Sequence, residues 1–318
     1  MGLIDNYTKK YMSDNKVFAD AFNFYLYDGE QIINADDLQS IDTTAVATLD
    51  NVQLNTSVQK IRDNYKILAM KEDESGVYVV LGGENEAEVN YAEPVKSMVY
   101  DALEYARQVA EKAKKHKQDN DTKGISPGEF MRGFHKDDRL VPVITLVIFF
   151  NPKKWDAPKS IHEMFDVKDK RLLSYVNDYK INLISPYEIK ETDASKFQSN
   201  LKEVLLYIKN SNDKNKLQEL VNGDEEFTKL DRDAACVINA CTNSKLKINE
   251  NEDVINMCKA INDLVSDSKA EGIDEGKYIG AIGMCKTFKL SFEDAILKIM
   301  ESFNLSKQEA DDVVNKYW

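Results

Sequence analysis

Three carboxylates carry the most specific chemistry in this chain. Asp63 follows Arg62 within residues 58–70, and Glu84 and Glu86 flank Asn85 just past Gly82-Gly83. Side chains alternate along a strand, so Glu84 and Glu86 point to one face. If residues 58–70 and 76–83 form a hairpin, Asp63 comes beside them, register permitting. Carboxylates converging in this way could hold a hard divalent cation, which takes oxygen ligands. Such a cation can activate a water and stabilise charge on a phosphodiester in its transition state. The plain alternative is a solvated acidic strand end, because in a chain with 55 acidic residues an Asp followed further on by Glu-x-Glu arises easily by chance. What favours a site is the strand before Glu84. Residues 77–81 (VYVVL) are apolar on both faces, and a carboxylate at the mouth of a buried strand is where a cleft forms.

The elements that must position these residues are legible in outline. Residues 14–27 (DNKVFADAFNFYLY) are aromatic and helix-spaced up to Asp28-Gly29. Residues 58–70 and 76–83 read as two strands joined by the charged turn 71–75. Pro94 opens a helix over residues 95–117, with Val99, Leu103 and Ala106 as its apolar stripe. Residues 140–150 (LVPVITLVIFF) form the strongest strand and look buried on both sides; residues 179–184 (YKINLI) form another. The order predicts an α/β domain, a mixed sheet with helices against it, over residues 1–190. Beyond it the chain has no proline after Pro186, and helices are expected at 194–208, 213–222, 229–243, 253–271, 277–289, 292–303 and 307–318. Residues 191–318 therefore read as an all-helical C-terminal domain. Ser291 and Ser306 each stand three residues before an acid, the capping-box arrangement. The two terminal helices suggest a helix-turn-helix, but Glu293, Asp294, Glu309, Asp311 and Asp312 would repel phosphate. Packing or homo-oligomerisation suits them better.

Composition limits the partners. The chain has 318 residues with 42 Lys+Arg against 55 Asp+Glu, a net charge of −13. That sign argues against coating nucleic acid or an anionic membrane by bulk electrostatics. No apolar run approaches the roughly 20 residues of a membrane span. Residues 1–10 lack the basic-then-apolar pattern of a signal peptide, so the expected compartment is the cytoplasm. Cys236, Cys241, Cys258 and Cys285 include no CxxC pair and lie far in sequence from His116, His135 and His162, which disfavours zinc. No nucleophile triad or GxxxxGK phosphate loop is readable. Lysines, however, gather. Lys112, Lys114, Lys115, Lys117 and Lys123 lie at one helix end and its loop, followed by Arg132, Lys136 and Arg139, while Lys153, Lys154 and Lys159 surround Trp155. Lysines with an aromatic suit a groove that tracks phosphates. Solubilising loop charge, part of it complementing a helix dipole, is the alternative.

The phrase VPVITLVIFFNPKKWDAPKSIHEM, the block from Arg62-Asp63 through GGENEAEVNYAEPVKSMVYDALEYARQV, the opening FADAFNFYLYDG, and the later NMCKAI, AEGIDEGK and Tyr317-Trp318 carry a resemblance over nearly the whole chain. It resembles the Rpn family of recombination-promoting nucleases, also labelled transposases, within the PD-(D/E)XK nuclease superfamily. The resemblance implies a PD-(D/E)XK core, hydrolysis of DNA dependent on Mg²⁺ or Mn²⁺, and a link to DNA recombination, mobile elements or defence. Position by position, Asp63 would match the motif's Asp and Glu84 its second acid, both metal ligands. Family members commonly carry Glu-Asn-Gln there, with Gln standing where other nucleases of the superfamily have Lys; this chain has Glu86. An ionised Glu accepts hydrogen bonds but cannot donate one. Glu86 would thus be a third ligand or water-orienting acceptor, or would mark a nuclease-fold protein that binds DNA or protein without cleaving. On the following helix Tyr100, Asp101 and Gln108 occupy positions where the superfamily places polar groups facing the cleft; as core or cap residues they are equally well explained. Asp20 is a candidate extra acid near the metal, or part of a solvated face. Lys112, Lys114, Lys115, Lys117, Lys153 and Lys154 would hold the DNA backbone. A third reading makes the protein a helical oligomer whose N-terminal domain is only a scaffold.

Overall fold

The structure, a computed structural model, describes residues 2–40, 64–70, 77–119, 124–249 and 251–318. Two helices, α1 (Leu3–Met12) and α2 (Asn15–Tyr27), precede a five-stranded sheet. Its strands are β1 (Leu38–Ser40), β2 (Asn64–Met70), β3 (Val77–Glu86), β4 (Val143–Phe149) and β5 (Asn182–Ile184), in that spatial order. β1, β2 and β3 pair antiparallel, whereas β3–β4 and β4–β5 are parallel. A parallel pair needs a crossover, and α3 (Glu93–Asp119) with the short α4 (Pro127–Arg132) lies in the one between β3 and β4. The mixed α/β architecture expected from the sequence is therefore present. β3 is central, and Leu146 to Phe150 at the end of β4 are all within 1% of full burial. Residues 58–63 and the turn at 71–75 lie outside the described residues.

Asn90 sets the start of α3: its side chain accepts from Ala92 N, and Pro94 falls in the first turn, where a missing N–H costs nothing. The face α3 turns inward is not the expected one. Its fully buried positions are Glu93, Pro94, Ser97, Asp101, Glu104 and Gln108, whereas Val99 is exposed and Leu103 and Ala106 are half-buried. The reason lies on the sheet. Glu84 and Glu86 of β3 and Thr145 of β4 stand on the face that α3 covers, and each bonds to a polar or charged group of the helix. An apolar stripe there would strand them without partners.

The first compact unit comprises Met1–Ser244 and Ile248–Met257, so it runs well past the boundary expected at residue 190. α6 (Leu201–Asn210) is buried on most of its surface, with Leu201, Val204, Leu205 and Ile208 at 0% exposure and even Glu203 inside, so it must be covered on several sides. It packs against α2, α7 (Lys214–Gly223) and α8 (Arg232–Thr242), and α8 packs against α1. α1 was not anticipated from the sequence; it buries Thr8, Tyr11 and Met12. A two-stranded sheet, β6 (Leu230–Asp231) with β7 (Val254–Ile255), adds strand where only helix was expected. The one-turn helix α5 (Lys170–Leu173) lies between β4 and β5.

The second unit, Lys245–Lys247 with Cys258–Trp318, contains only helices among its regular elements. The two helices expected at 253–271 and 277–289 are one, α9 (Met257–Thr287), running through Gly272 and Gly276. Each glycine weakens a helix by about 1 kcal/mol but, unlike proline, does not break it. α10 (Phe292–Phe303) and α11 (Lys307–Tyr317) begin where expected: Ser291 accepts from Asp294 N, and Ser306 forms a capping box with Glu309. Ile282, Cys285, Ala295, Ile296, Ile299, Ala310 and Val314 make their core. No helix among the described residues is long and apolar enough to cross a membrane.

Candidate functional site

At the C-terminal end of β3 the chain gathers three carboxylates around one ammonium. Lys96 Nζ of α3 lies 2.9 Å from Glu84 Oε2, 2.5 Å from Glu86 Oε1 and 3.5 Å from Glu93 Oε2. Two elements bring them together. β3 places Glu84 opposite Val147 and Glu86 opposite Phe149, so the acids share the face beneath α3 as strand alternation requires. The tight connection from β3 to Asn90 then folds the first turn of α3 back over them. Glu84 and Glu93 are buried, and Lys96 is 29% exposed along its side chain, so the cluster sits just under the surface. Glu93 also accepts from Asn90 Nδ2 at 2.8 Å and Ser97 Oγ at 2.8 Å.

The electrostatics follow from burial and crowding. Burial draws the Lys96 ammonium down, but Glu84, Glu93 and Glu86 outweigh it and hold its pKa well above the ordinary lysine value. Burial pushes the Glu93 carboxyl up to about 7, with Lys96 opposing and Glu86 adding to the rise. Three acids and one base in so little water leave the cluster short of positive charge, which is the condition a cation site needs. The donor set is hard oxygen, the type that Mg²⁺ or Mn²⁺ takes, and its three carboxylates already share the single Lys96 ammonium.

Further along α3 the buried polar stripe continues at i, i+4, i+8, i+11 and i+15 from Glu93. Asp101 accepts from Thr145 Oγ1 at 2.6 Å and from Tyr179 OH at 2.7 Å. Glu104 is held by Arg107 through Nε and Nη2, each at 2.7 Å. Gln108 brackets the backbone of Val141, donating to its carbonyl at 3.2 Å and accepting from its N–H at 2.8 Å. These bonds fix the rotation of α3 on β4 and thereby aim Lys96 at the acids.

The other expected site residues fare differently. Asp63 lies outside the described residues; its chain neighbour Asn64 stands opposite Gly83, one position before Glu84. Glu84 and Glu86 come together as expected. Tyr100 is half-buried on α3. Gln108 is twelve residues beyond Lys96, about 18 Å along the helix axis, and its amide is spent on Val141. Asp20 is not solvated, and its bonds lead away from the cluster: it accepts from Gln198 N, Ser199 N and Ser199 Oγ at 2.9, 2.8 and 2.6 Å. Lys114, Lys115, Lys117, Lys153 and Lys154 are exposed and Lys112 half so, as a backbone-binding role requires. Trp155 is not available to stack on a base: it is 3% exposed and packs edge-on against Phe149 at 5.1 Å. Lys96 and Glu93 were missed; the recurrence of Glu93, Ser97, Asp101, Glu104 and Gln108 every three to four positions was the signal that could have found Glu93, with Lys96 one turn from it. Among the described residues no group of three His, Cys, Asp or Glu side chains is arranged to hold a metal ion.

Comparison with known proteins adds nothing to this geometry: the chain matches no protein-family model, no curated protein and no solved structure.

Proposed function

We propose that the chain is a metal-dependent DNA endonuclease of PD-(D/E)XK type, hydrolysing phosphodiester bonds. The observation that carries this reading is the buried convergence of Glu84 and Glu86 on Lys96 at the end of the central strand. Its support from architecture is the order of elements: helix, three antiparallel strands, a crossover helix and a parallel fourth strand, with the acids on the third. Asp63 and Glu84 would hold Mg²⁺ or Mn²⁺. The ion would supply Lewis-acid stabilisation of phosphoryl charge and a more acidic water. Glu86 would orient that water as an acceptor, and Lys96 would supply the donor that Glu86 cannot be. Lysines 112, 114, 115, 117, 153 and 154 contact the DNA backbone locally, as a chain of net charge −13 must.

The test is plasmid nicking by purified protein with Mg²⁺ or Mn²⁺. Wild type should nick, and Asp63→Ala and Glu84→Ala should fall to background. Equal nicking by all three would remove the proposal. Glu86→Gln, which restores a donor, should cleave at least as fast as wild type.

A second reading keeps the fold and drops the chemistry: a nuclease-fold protein that binds DNA or a protein partner. The saturation of Lys96 by three carboxylates favours it. It predicts DNA binding without nicking, with a salt slope that falls by about 0.9 for each phosphate no longer neutralised when the 112–117 lysines become Ala.

A further inference from the structure

The connection from β4 to β5 closes on itself and presents an aromatic tip. At its neck Ile161 N donates to Tyr179 O at 3.0 Å, His162 N to Asp178 Oδ1 at 3.0 Å, and His162 Nε2 to Val176 O at 2.8 Å. Residues 163–176, between these bonds, form a surface loop whose ends lie side by side, the Ω-loop arrangement. Its backbone is fixed. Asp169 caps α5 by accepting from Arg171 N, and Tyr175 N and Val176 N donate to Leu172 O and Leu173 O at 3.1 and 3.0 Å. On that frame Tyr175 is 90% exposed, Leu172 59% and Val167 50%. A fixed turn that holds a whole phenol ring in water stabilises nothing in the folded chain, and apolar side chains clustered in this way mark a surface that meets a partner.

Charge identifies the partner. Lys168, Lys170 and Arg171 precede the ring on the same tip, all exposed, against Asp166 and Asp169; three against two leaves one positive charge in surplus on a chain of net −13. Asp169 is engaged by Arg171 at 3.2 Å, while Lys168 and Lys170 have no ion-pair partner among the described residues. The same connection leaves β4 with Lys153 and Lys154 exposed. An apolar partner would not need these cations, and an acidic protein would not need the open ring face. A nucleic-acid strand takes both, its phosphates on the lysines and a base on the ring. A base reaches a ring face only when it is unstacked from its neighbours, so the surface fits a single strand better than a regular duplex.

We infer that Tyr175 is a base-stacking residue and that the loop tip holds single-stranded DNA, with Lys168 and Lys170 on its phosphates. This deepens the endonuclease reading by naming the substrate class, a strand with unstacked bases, and rests on that reading for the nucleic acid alone. Tyr175 supplies the stacking face that the buried Trp155 cannot.

The experiment is fluorescence anisotropy of a labelled single-stranded oligonucleotide and of its duplex, titrated with the full chain in EDTA. The proteins are wild type, Tyr175→Phe, Tyr175→Leu, Tyr175→Ala and the double variant Lys168→Ala with Lys170→Ala. Wild type should bind the single strand more tightly than the duplex. Tyr175→Ala should weaken single-strand binding at least about fivefold, the low end of what one stacked base contributes. Tyr175→Phe keeps the ring and should bind like wild type, whereas Tyr175→Leu, apolar without a π face, should resemble Tyr175→Ala. The lysine variant should lower the slope of log K against log salt by about 0.7 for each phosphate released. Melting temperatures should match throughout, since the ring touches so little of its own chain. Single-strand affinity that survives Tyr175→Ala, or survives Tyr175→Leu in full, would overturn the inference. So would a wild type that binds no single strand, or binds duplex as tightly. Pelleting with phosphatidylserine vesicles that falls in Tyr175→Ala while oligonucleotide binding stays would overturn it in favour of a membrane surface. The endonuclease reading fails separately: stacking without plasmid nicking would retire it and leave Tyr175, whereas nicking with single-strand affinity indifferent to Tyr175 would do the reverse.

Discussion

Lys66 shows at the scale of one residue how much charge this protein keeps inside. It lies on β2 at 2% exposure, donating to Ser13 O at 2.8 Å and Asn15 Oδ1 at 2.6 Å, with its ammonium 4.7 Å above the Phe18 ring. Burial lowers its pKa to about 8, with Asp14 opposing. Below pH 8 folded and unfolded chains are both protonated at this site. Between pH 8 and the unfolded value of 10.5 the unfolded chain binds more protons, so stability rises with pH across that window and levels off above it. The gain has an upper bound of about 3 kcal/mol. Urea unfolding at pH 7.5 and pH 10 should show wild type gaining on Lys66→Met between the two; parallel changes in both proteins would mean the ammonium is solvated. A lysine in residues 58–70 gave no hint of this in the sequence, because burial of its ammonium depends on a carbonyl and an amide contributed by the junction between α1 and α2. Lys96 was hidden for the same reason: a lysine on an amphipathic helix reads as surface until the sheet beneath it is known to end in acids.

At the scale of elements, Asp20 ties α2 to the chain entering α6. Removing its carboxylate would leave the part-buried N–H groups of Gln198 and Ser199 without their acceptor, and each unmet donor of this kind costs at least about 1 kcal/mol. Asp20→Ala should therefore lose about 3 kcal/mol in denaturant unfolding, and Asp20→Asn, which keeps one acceptor, should lose less. Nicking per folded molecule should be the same in all three; a selective loss of cleavage would return Asp20 to the site. Strands β3 and β4 and helices α2, α3, α10 and α11 were legible in the sequence, because apolar runs, Pro94 and the Ser291 and Ser306 caps act over a few residues. The inward face of α3 was not legible. Local periodicity marks Val99, Leu103 and Ala106 as a core stripe, yet the helix answers to Glu84, Glu86 and Thr145, on the strands that come before and after it in the chain. Glu84 and Glu86 were found because an apolar strand delivers them to an edge; Trp155 was misjudged because its partner Phe149 closes over it only in three dimensions.

At the scale of the molecule, each compact unit carries one of the two tryptophans, Trp155 in the first and Trp318 in the second. Among the described residues the core of the second unit comprises seven buried side chains, and a domain of about 60 residues buries a smaller share of its surface than a larger one. Fluorescence of Trp155→Phe, which reports Trp318, should pass its urea midpoint below that of Trp318→Phe, which reports Trp155. Coincident midpoints would mean that the chain unfolds as one cooperative body. The charged corner in the first unit also bears on how that unit assembles. Glu84, Glu86, Glu93 and Lys96 fall within thirteen consecutive residues, whereas the parallel pairing of Gly82 with Thr145 waits on the whole crossover. Closing a short loop takes tens of nanoseconds, and long-range strand pairing is far slower. The corner is thus expected to form before its roof. In stopped-flow refolding Lys96→Met should slow folding, while Thr145→Val, which loses the bond to Asp101, should chiefly speed unfolding; the opposite pattern would place β4 in the nucleus instead. A charged corner written in one short stretch of chain can be assembled, and inherited, as a single piece.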